Sequence, residues 1–132
     1  MIEHIQPKDI EKKSFEIIGE ELASMGITLD PLQDPVIRRA IHTSADFDYA
    51  KTMLFSDGAV RIARDLISSG ADIVTDTNMA LTGINKKKLA QYGGQVKCYM
   101  AEEEIAVEAR KRGVTRASIS MEHAAADIAI SG

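Results

Sequence analysis

Apolar residues in the first part of the chain recur at helical spacing. Between residues 8 and 25, Phe15, Ile18, Leu22 and Met25 fall three and four apart and so share one helix face, and Gly26 stands where a C-cap belongs. The next stretch, DPLQDPVIRRAIHT, has Pro31 and Pro35 near its start, where a missing N–H does no harm. Val36, Ile37, Ala40 and Ile41 then make a buried face, with Arg38 and Arg39 expected on the other side. His42 falls at or just past the end of this second helix. A third helix, DGAVRIARDLISSG, is capped by Ser56, repeats Val60, Ala63, Leu66 and Ile67 at helical spacing, and stops at Gly70.

Beyond Gly70 the pattern changes. ADIVTD reads as a strand, residues 78–92 as one or two short helices interrupted near Gly83, and GQVKCYM as a second strand in which Val96, Cys98 and Met100 alternate with other residues. EEEIAVEARKRG is a helix with acids in its first turn and bases in its last, which complements its dipole. TRASISMEHAAA predicts a further helix capped by Thr115 or the residue before it, and DIAISG a third strand. Strands separated by such helical segments imply parallel pairing through right-handed crossovers. The expected fold is therefore α/β: three layers, a mainly parallel sheet with helices on both faces, Rossmann-like. Ligands of such sheets gather beyond the carboxyl ends of the strands, which picks out residues 76–78, residues 100–102 and Gly132.

A length of 132 residues suits one domain spanning 1–132, and 45% hydrophobic with 27% charged residues is ordinary for a soluble protein with a core. The single cysteine, Cys98, has no internal partner, which fits a reducing, cytoplasmic setting. No apolar run approaches the ~20 residues of a membrane span. The N-terminus MIEHIQPKDIEKK has acids where a signal peptide would be basic. A net charge of −4 and only 5% aromatic residues weigh against nucleic acid as a partner.

No Walker loop, GxGxxG, CxxC pair or HExxH is present, and Gly93-Gly94 reads as a turn before a strand. His42 with Asp46 and Asp48, or His123 with Asp127, falls short of a full ligand set, so no metal is expected. Of the three histidines, His4 lies near a frayed terminus and His123 reads as packed or solvated. At a helix end a cationic imidazole is favoured by the dipole, so the plain reading of His42 is a C-terminal cap. TDTNM offers hydroxyls and an amide to a ligand, and the same residues are good N-caps. The lysines of NKKKL and Arg116 are either solvated charge or anion holders. Residue chemistry alone thus gives an anion-binding α/β domain.

Three stretches taken together go further. IHTSADFDYA with the following FSDGAV, then IVTDTNMALTGINKKKL, then GVTRASISM resemble the precorrin-8X methylmutases, or precorrin isomerases, of cobalamin biosynthesis, and IEKKSFEII is similar to that family's N-terminal helix. The resemblance runs in order from about residue 10 to residue 132, matching the family's N-terminal part, with its C-terminal loops, helix and strand absent. It implies an isomerase that moves a methyl group from carbon eleven to carbon twelve of precorrin-8X or cobalt-precorrin-8, with no cofactor consumed. It gives His42 the catalytic role, as proton or hydrogen-bond donor to the macrocycle. Histidine suits that work because imidazole ordinarily titrates near neutrality. The substrate's carboxylates would meet Lys13, Lys86 and Arg116, while Ser14, Thr43, Thr77 and Asn78 would supply neutral hydrogen bonds. A homodimer is implied too. The alternative is a shortened relative that binds a corrinoid or assists assembly without isomerising it; a third possibility is an unrelated anion-binding domain.

Overall fold

The computed structural model describes the backbone of residues 7–131 and the side chains of residues 9–129; His4 and Gly132 lie outside the described residues. Among the described residues eight helices and two strands follow one another: α1 (Pro7–Ser24), α2 (Asp34–Ser44), α3 (Tyr49–Thr52), α4 (Ala59–Ser68), β1 (Ile73–Val74), α5 (Asn78–Gly83), α6 (Lys86–Ala90), β2 (Val96–Lys97), α7 (Glu103–Arg112) and α8 (Arg116–Ser131). The class is α/β, helix-rich with a small parallel sheet. The chain divides into two compact units, one ending at Ile62 and the other beginning at Ala63, so that the division falls inside α4.

In the first unit the predicted faces of α1 and α2 meet. Ile18 and Leu22 on α1 and Ile37 and Ile41 on α2 form a buried cluster, walled by Phe15, Ile27, Leu29, Phe47, Ala50, Met53 and Phe55. Each buried aliphatic side chain contributes roughly 1.5–3 kcal/mol. Two expectations fail here. Spacing puts Met25 on the buried face, but the chain leaves the helix at Ser24 and Met25 stands half exposed in the turn. Arg38 and Arg39, expected on the far side of α2, both reach back to α1. Arg38 donates from Nε to Asp34 Oδ1 (2.5 Å) and from Nη1 to the Phe15 carbonyl (2.9 Å); Arg39 pairs with Glu11 and lies over the Phe15 ring. Long charged side chains can cover apolar surface while their heads find partners, so periodicity alone misplaces them.

In the second unit β1 and β2 pair in parallel, Ile73 opposite Val96 and Val74 opposite Lys97. Their close approach begins two residues earlier, at Gly94, which is buried; a Cβ there would stand 2.5 Å from the Ala71 carbonyl oxygen and 3.1 Å from Leu89 Cδ1. Gly70 has φ +90° and is equally confined, with the Tyr92 carbonyl 2.9 Å from where its Cβ would be. The turn read at Gly93-Gly94 is thus also a backbone contact. Helices α7 and α8 pack through Ile105, Ala109 and Ile119, against which Tyr99 leans.

The third strand is not formed. Residues 127–131 continue α8, which the Thr115 side chain caps by accepting from Ser118 N–H (3.1 Å). The period-two pattern of DIAIS suggested a strand, but the alanines before it are the best helix formers and no glycine or proline stops the helix. The run of α8 places Asp127 where Tyr99 OH donates to its Oδ2 (2.7 Å) and Lys97 Nζ lies 3.6 Å away; Lys97 also meets Asp72 Oδ2 at 3.0 Å. Nearby, Arg112 ties α7 to α8 through Glu122 Oε1 (3.0 Å), and His123 Nε2 lies 3.3 Å from Glu108 Oε2.

Two outcomes test this account. Gly94→Ala must push the two strands apart, because the obstructing atom belongs to the backbone, and should cost about 1–3 kcal/mol in thermal or urea unfolding. Gly83→Ala, with open space around the added methyl, should stay within about 1 kcal/mol of the parent. The second test is pH dependence. The Tyr99 hydroxyl, then Lys97, hold the Asp127 carboxyl below its ordinary 3.8, and the same hydrogen bond raises Tyr99 above its ordinary 10.0. A depressed carboxyl stabilises the fold above its unfolded value and loses that contribution as pH falls through the folded value. A raised phenol contributes below 10.0 and loses it as pH rises. Tyr99→Phe should therefore lower the unfolding midpoint most between these limits, the gap from wild type closing in acid and in strong alkali. A gap that ignores pH would mean that Tyr99 acts by packing alone.

Candidate functional site

The last turn of α2 carries His42, the residue following Ile41, which is only 1% exposed. Because Ile41 is fixed in the α1–α2 cluster, its neighbour is turned about 100° to the flank, and His42 is exposed there. Its ring meets Phe15 on α1 edge to face, centroids 5.3 Å apart and planes at 67°. A hollow of about 260 Å³ opens beside it, lined by Ser14, Ile17, Ile18 and Glu21 from α1 and by Ile41, His42, Ala45 and Phe47. Positions 14, 17, 18 and 21 are one face of a helix, so that spacing alone could have placed Ile17 and Glu21 beside Ser14.

Ala45 closes α2 with φ 57°, the one non-glycine residue at positive φ among those described, and its N–H donates to the Ile41 carbonyl (2.7 Å). A left-handed alanine costs roughly 1–2 kcal/mol. The turn is held from both sides: Ser44 Oγ donates to the Ala40 carbonyl (2.7 Å) and accepts from Asp46 N–H (3.2 Å), and Asp46 Oδ1 accepts from Asp48 N–H (2.9 Å). The result brings Phe47 back over the hollow. Asp46 and Asp48 thus shape a turn beside His42. His123 approaches Glu108, while Asp127 serves Tyr99. Among the described residues no group of three or more His, Cys, Asp and Glu side chains is placed to hold a metal ion.

The remaining sequence candidates divide between the two units. Ser14 lines the hollow with His42, and its hydroxyl donates to the Ile10 carbonyl (3.0 Å), leaving the oxygen lone pairs for a further donor. Lys13 is exposed on α1. Thr43 Oγ1 donates to the Arg39 carbonyl (2.9 Å), and Thr43 is not among the lining residues. In the second unit Thr77 caps α5, accepting from Ala80 N–H (3.3 Å), and is in turn fixed by Thr75, whose buried hydroxyl donates to the Thr77 carbonyl (3.0 Å). Asn78 is exposed at the start of α5, Lys86 at the start of α6 behind the Asn85 cap, and Arg116 at the start of α8. TDTNM therefore follows the carboxyl end of β1, as the strand-end rule anticipates.

The whole chain has well-defined relatives. A family model described as Precorrin-8X methylmutase matches residues 9–131. The cobalt-precorrin-8 methylmutase of Priestia megaterium is 40% identical over 120 residues, covering 91% of this chain and 52% of that protein. That of Salmonella typhimurium is 39% identical over 128 residues, covering 95% and 59%. Among solved structures, the precorrin-8x methyl mutase of Thermus thermophilus superposes with a TM-score of 0.76 at 35% identity, over 91% of this chain and 56% of that one. The chain thus spans between half and three fifths of the length of these relatives. With its family model matched from near the start of α1 to the end of α8, the chain belongs to the precorrin-8X methylmutase family.

Proposed function

We propose that this chain takes part in the methyl-shift isomerisation named for its relatives, acting on precorrin-8X or cobalt-precorrin-8 with His42 as the group that donates to the macrocycle. The observation that carries the proposal is the state of His42: exposed at the lip of a largely apolar hollow, with its ring held by Phe15 and no ring-nitrogen hydrogen bond among the described residues. A histidine that merely capped α2 would spend a ring nitrogen on a terminal carbonyl. Here the Ile41 carbonyl takes the Ala45 N–H, the Thr43 and Ser44 hydroxyls go to the Arg39 and Ala40 carbonyls, and the imidazole caps none of them.

The chemistry asked of the residue is modest. The carbon–methyl bond at carbon eleven breaks as the bond at carbon twelve forms, and the ring's π electrons rearrange to balance it. Composition does not change, so any proton that His42 lends to the macrocycle must return to it. At about 260 Å³ the hollow is below the usual range for enclosing a drug-sized ligand, so it would receive one methyl-bearing edge of the macrocycle rather than the whole. Lys13, Lys86 and Arg116 would face the peripheral carboxylates, and Ser14, Thr43, Thr77 and Asn78 would offer neutral hydrogen bonds. The reading extends to a homodimer in the cytoplasm, without an added cofactor, and to the fuller three-layer Rossmann-like sheet with helices on both faces. No helix among the described residues is long and apolar enough to cross a membrane.

Titration with hydrogenobyrinic acid, followed in the visible absorption bands, tests the proposal. Wild type should give a saturable band shift that His42→Ala weakens, and Arg116→Gln should lower affinity by less than about tenfold, in a salt-sensitive way. Absence of a shift in every protein would overturn the corrinoid reading. Saturable binding with no methyl shift on precorrin-8X would leave the non-catalytic, corrinoid-binding relative.

A further inference from the structure

Resting on the role given to His42 above, we infer that Phe15 is the positioning residue for that histidine and that Arg39, seated on the same ring, locks it in place. Three side chains from two helices make the arrangement. His42 meets the Phe15 ring with centroids 5.3 Å apart in a T-shaped contact, and the Arg39 guanidinium carbon lies 4.8 Å from the Phe15 centroid. Arg39 and His42 are three residues apart on α2, so both project toward α1 from adjacent turns. Arg39 is itself tied to Glu11, four residues before Phe15 on α1.

A protein usually orients a working imidazole by a hydrogen bond to one ring nitrogen, which also fixes the tautomer. No such bond is made to His42 by the described residues, so packing against Phe15 takes over the task. This has a chemical consequence. A ring oriented by an aromatic neighbour keeps both nitrogens for the ligand, and neither tautomer is imposed by the protein. The contact is useful only if Phe15 itself is still. Phe15 is half-buried at the edge of the α1–α2 cluster, its carbonyl is engaged by Arg38, and its face is covered by Arg39. Aromatic pairs and cation–π contacts of this kind favour one ring orientation over its alternatives by several-fold.

The test uses the full chain, with wild type, Phe15→Leu, Phe15→Tyr and Arg39→Gln, each checked for cooperative unfolding. The ring proton and carbon resonances of His42, identified by their loss in His42→Ala, are the first readout. Phe15→Leu should move them away from their wild-type positions as the ring current disappears, Phe15→Tyr should restore them, and Arg39→Gln, a surface change that should not threaten folding, should move them in the same direction by less. Resonances unmoved in both Phe15→Leu and Arg39→Gln would overturn the inference. The second readout is affinity for hydrogenobyrinic acid. Phe15→Leu should weaken binding about 3- to 10-fold when His42 is present and have no further effect in the His42→Ala background. Equal weakening in both backgrounds would show that Phe15 supports the hollow without acting through His42. Should His42→Ala leave affinity unchanged, the function proposed for His42 falls, and the resonances alone decide whether Phe15 orients it.

Discussion

Burial of Ile18 and Leu22 against Ile37 and Ile41 is the constraint on which the candidate site depends. It fixes the rotation of α2 about its own axis, since Ile37 and Ile41 are one helical turn apart and must both face α1. Once they do, residue 42 has only one place to be, and the same rotation carries Arg38 and Arg39 to where they can reach α1. Replacing Ile41 with alanine would thus cost the roughly 2–5 kcal/mol of a lost core side chain and would also loosen the register of the histidine beside it.

The second unit is organised by a different constraint, the closeness of two peptide segments. Gly70 and Gly94 let the backbones before β1 and β2 nearly touch, so a sheet only two residues long per strand can still be set in register. Charge then fastens the surroundings. Lys97 lies between Asp72, which precedes β1, and Asp127 on α8, and Arg112 joins α7 to α8. Pairs this exposed contribute little individually, and they serve chiefly to fix orientation between elements that hydrophobic contact has already brought together. The buried hydroxyl of Ser120 makes no hydrogen bond among the described residues, so α8 carries a polar group whose desolvation the apolar contacts must outweigh.

Much of this was legible in the sequence, for reasons that differ by residue. The α1 and α2 faces show because helical periodicity is long enough to read, and TDTNM shows because a short apolar run ends in good capping residues. The third strand fails to form because DIAIS satisfies a period of two over few residues only, whereas whether a helix stops depends on what lies upstream. The left-handed turn at Ala45 has no sequence signal. Such a turn is ordinarily announced by glycine or asparagine, and here it is held by the Ser44 and Asp46 side chains against an alanine's preference. The roles of Phe15 and Arg39 were hidden differently: both look like ordinary members of a helix, one core-facing and one solvated, until the two helices are packed.

That packing also bears on how a histidine can be both oriented and unoccupied. A hydrogen bond from the protein would hold the ring more firmly, but it would settle the tautomer in advance and take one nitrogen out of use. An aromatic edge-to-face contact is weaker and leaves the nitrogens alone, so it needs support from elsewhere. Arg39 and Arg38 give that support at Phe15, and the strained turn at Ala45 brings Phe47 to the other side of the hollow. In the role proposed for His42 a proton is lent and returned without net change, and there freedom of both nitrogens matters more than a fixed tautomer. The left-handed turn at Ala45 and the open, largely apolar hollow stand beside that histidine.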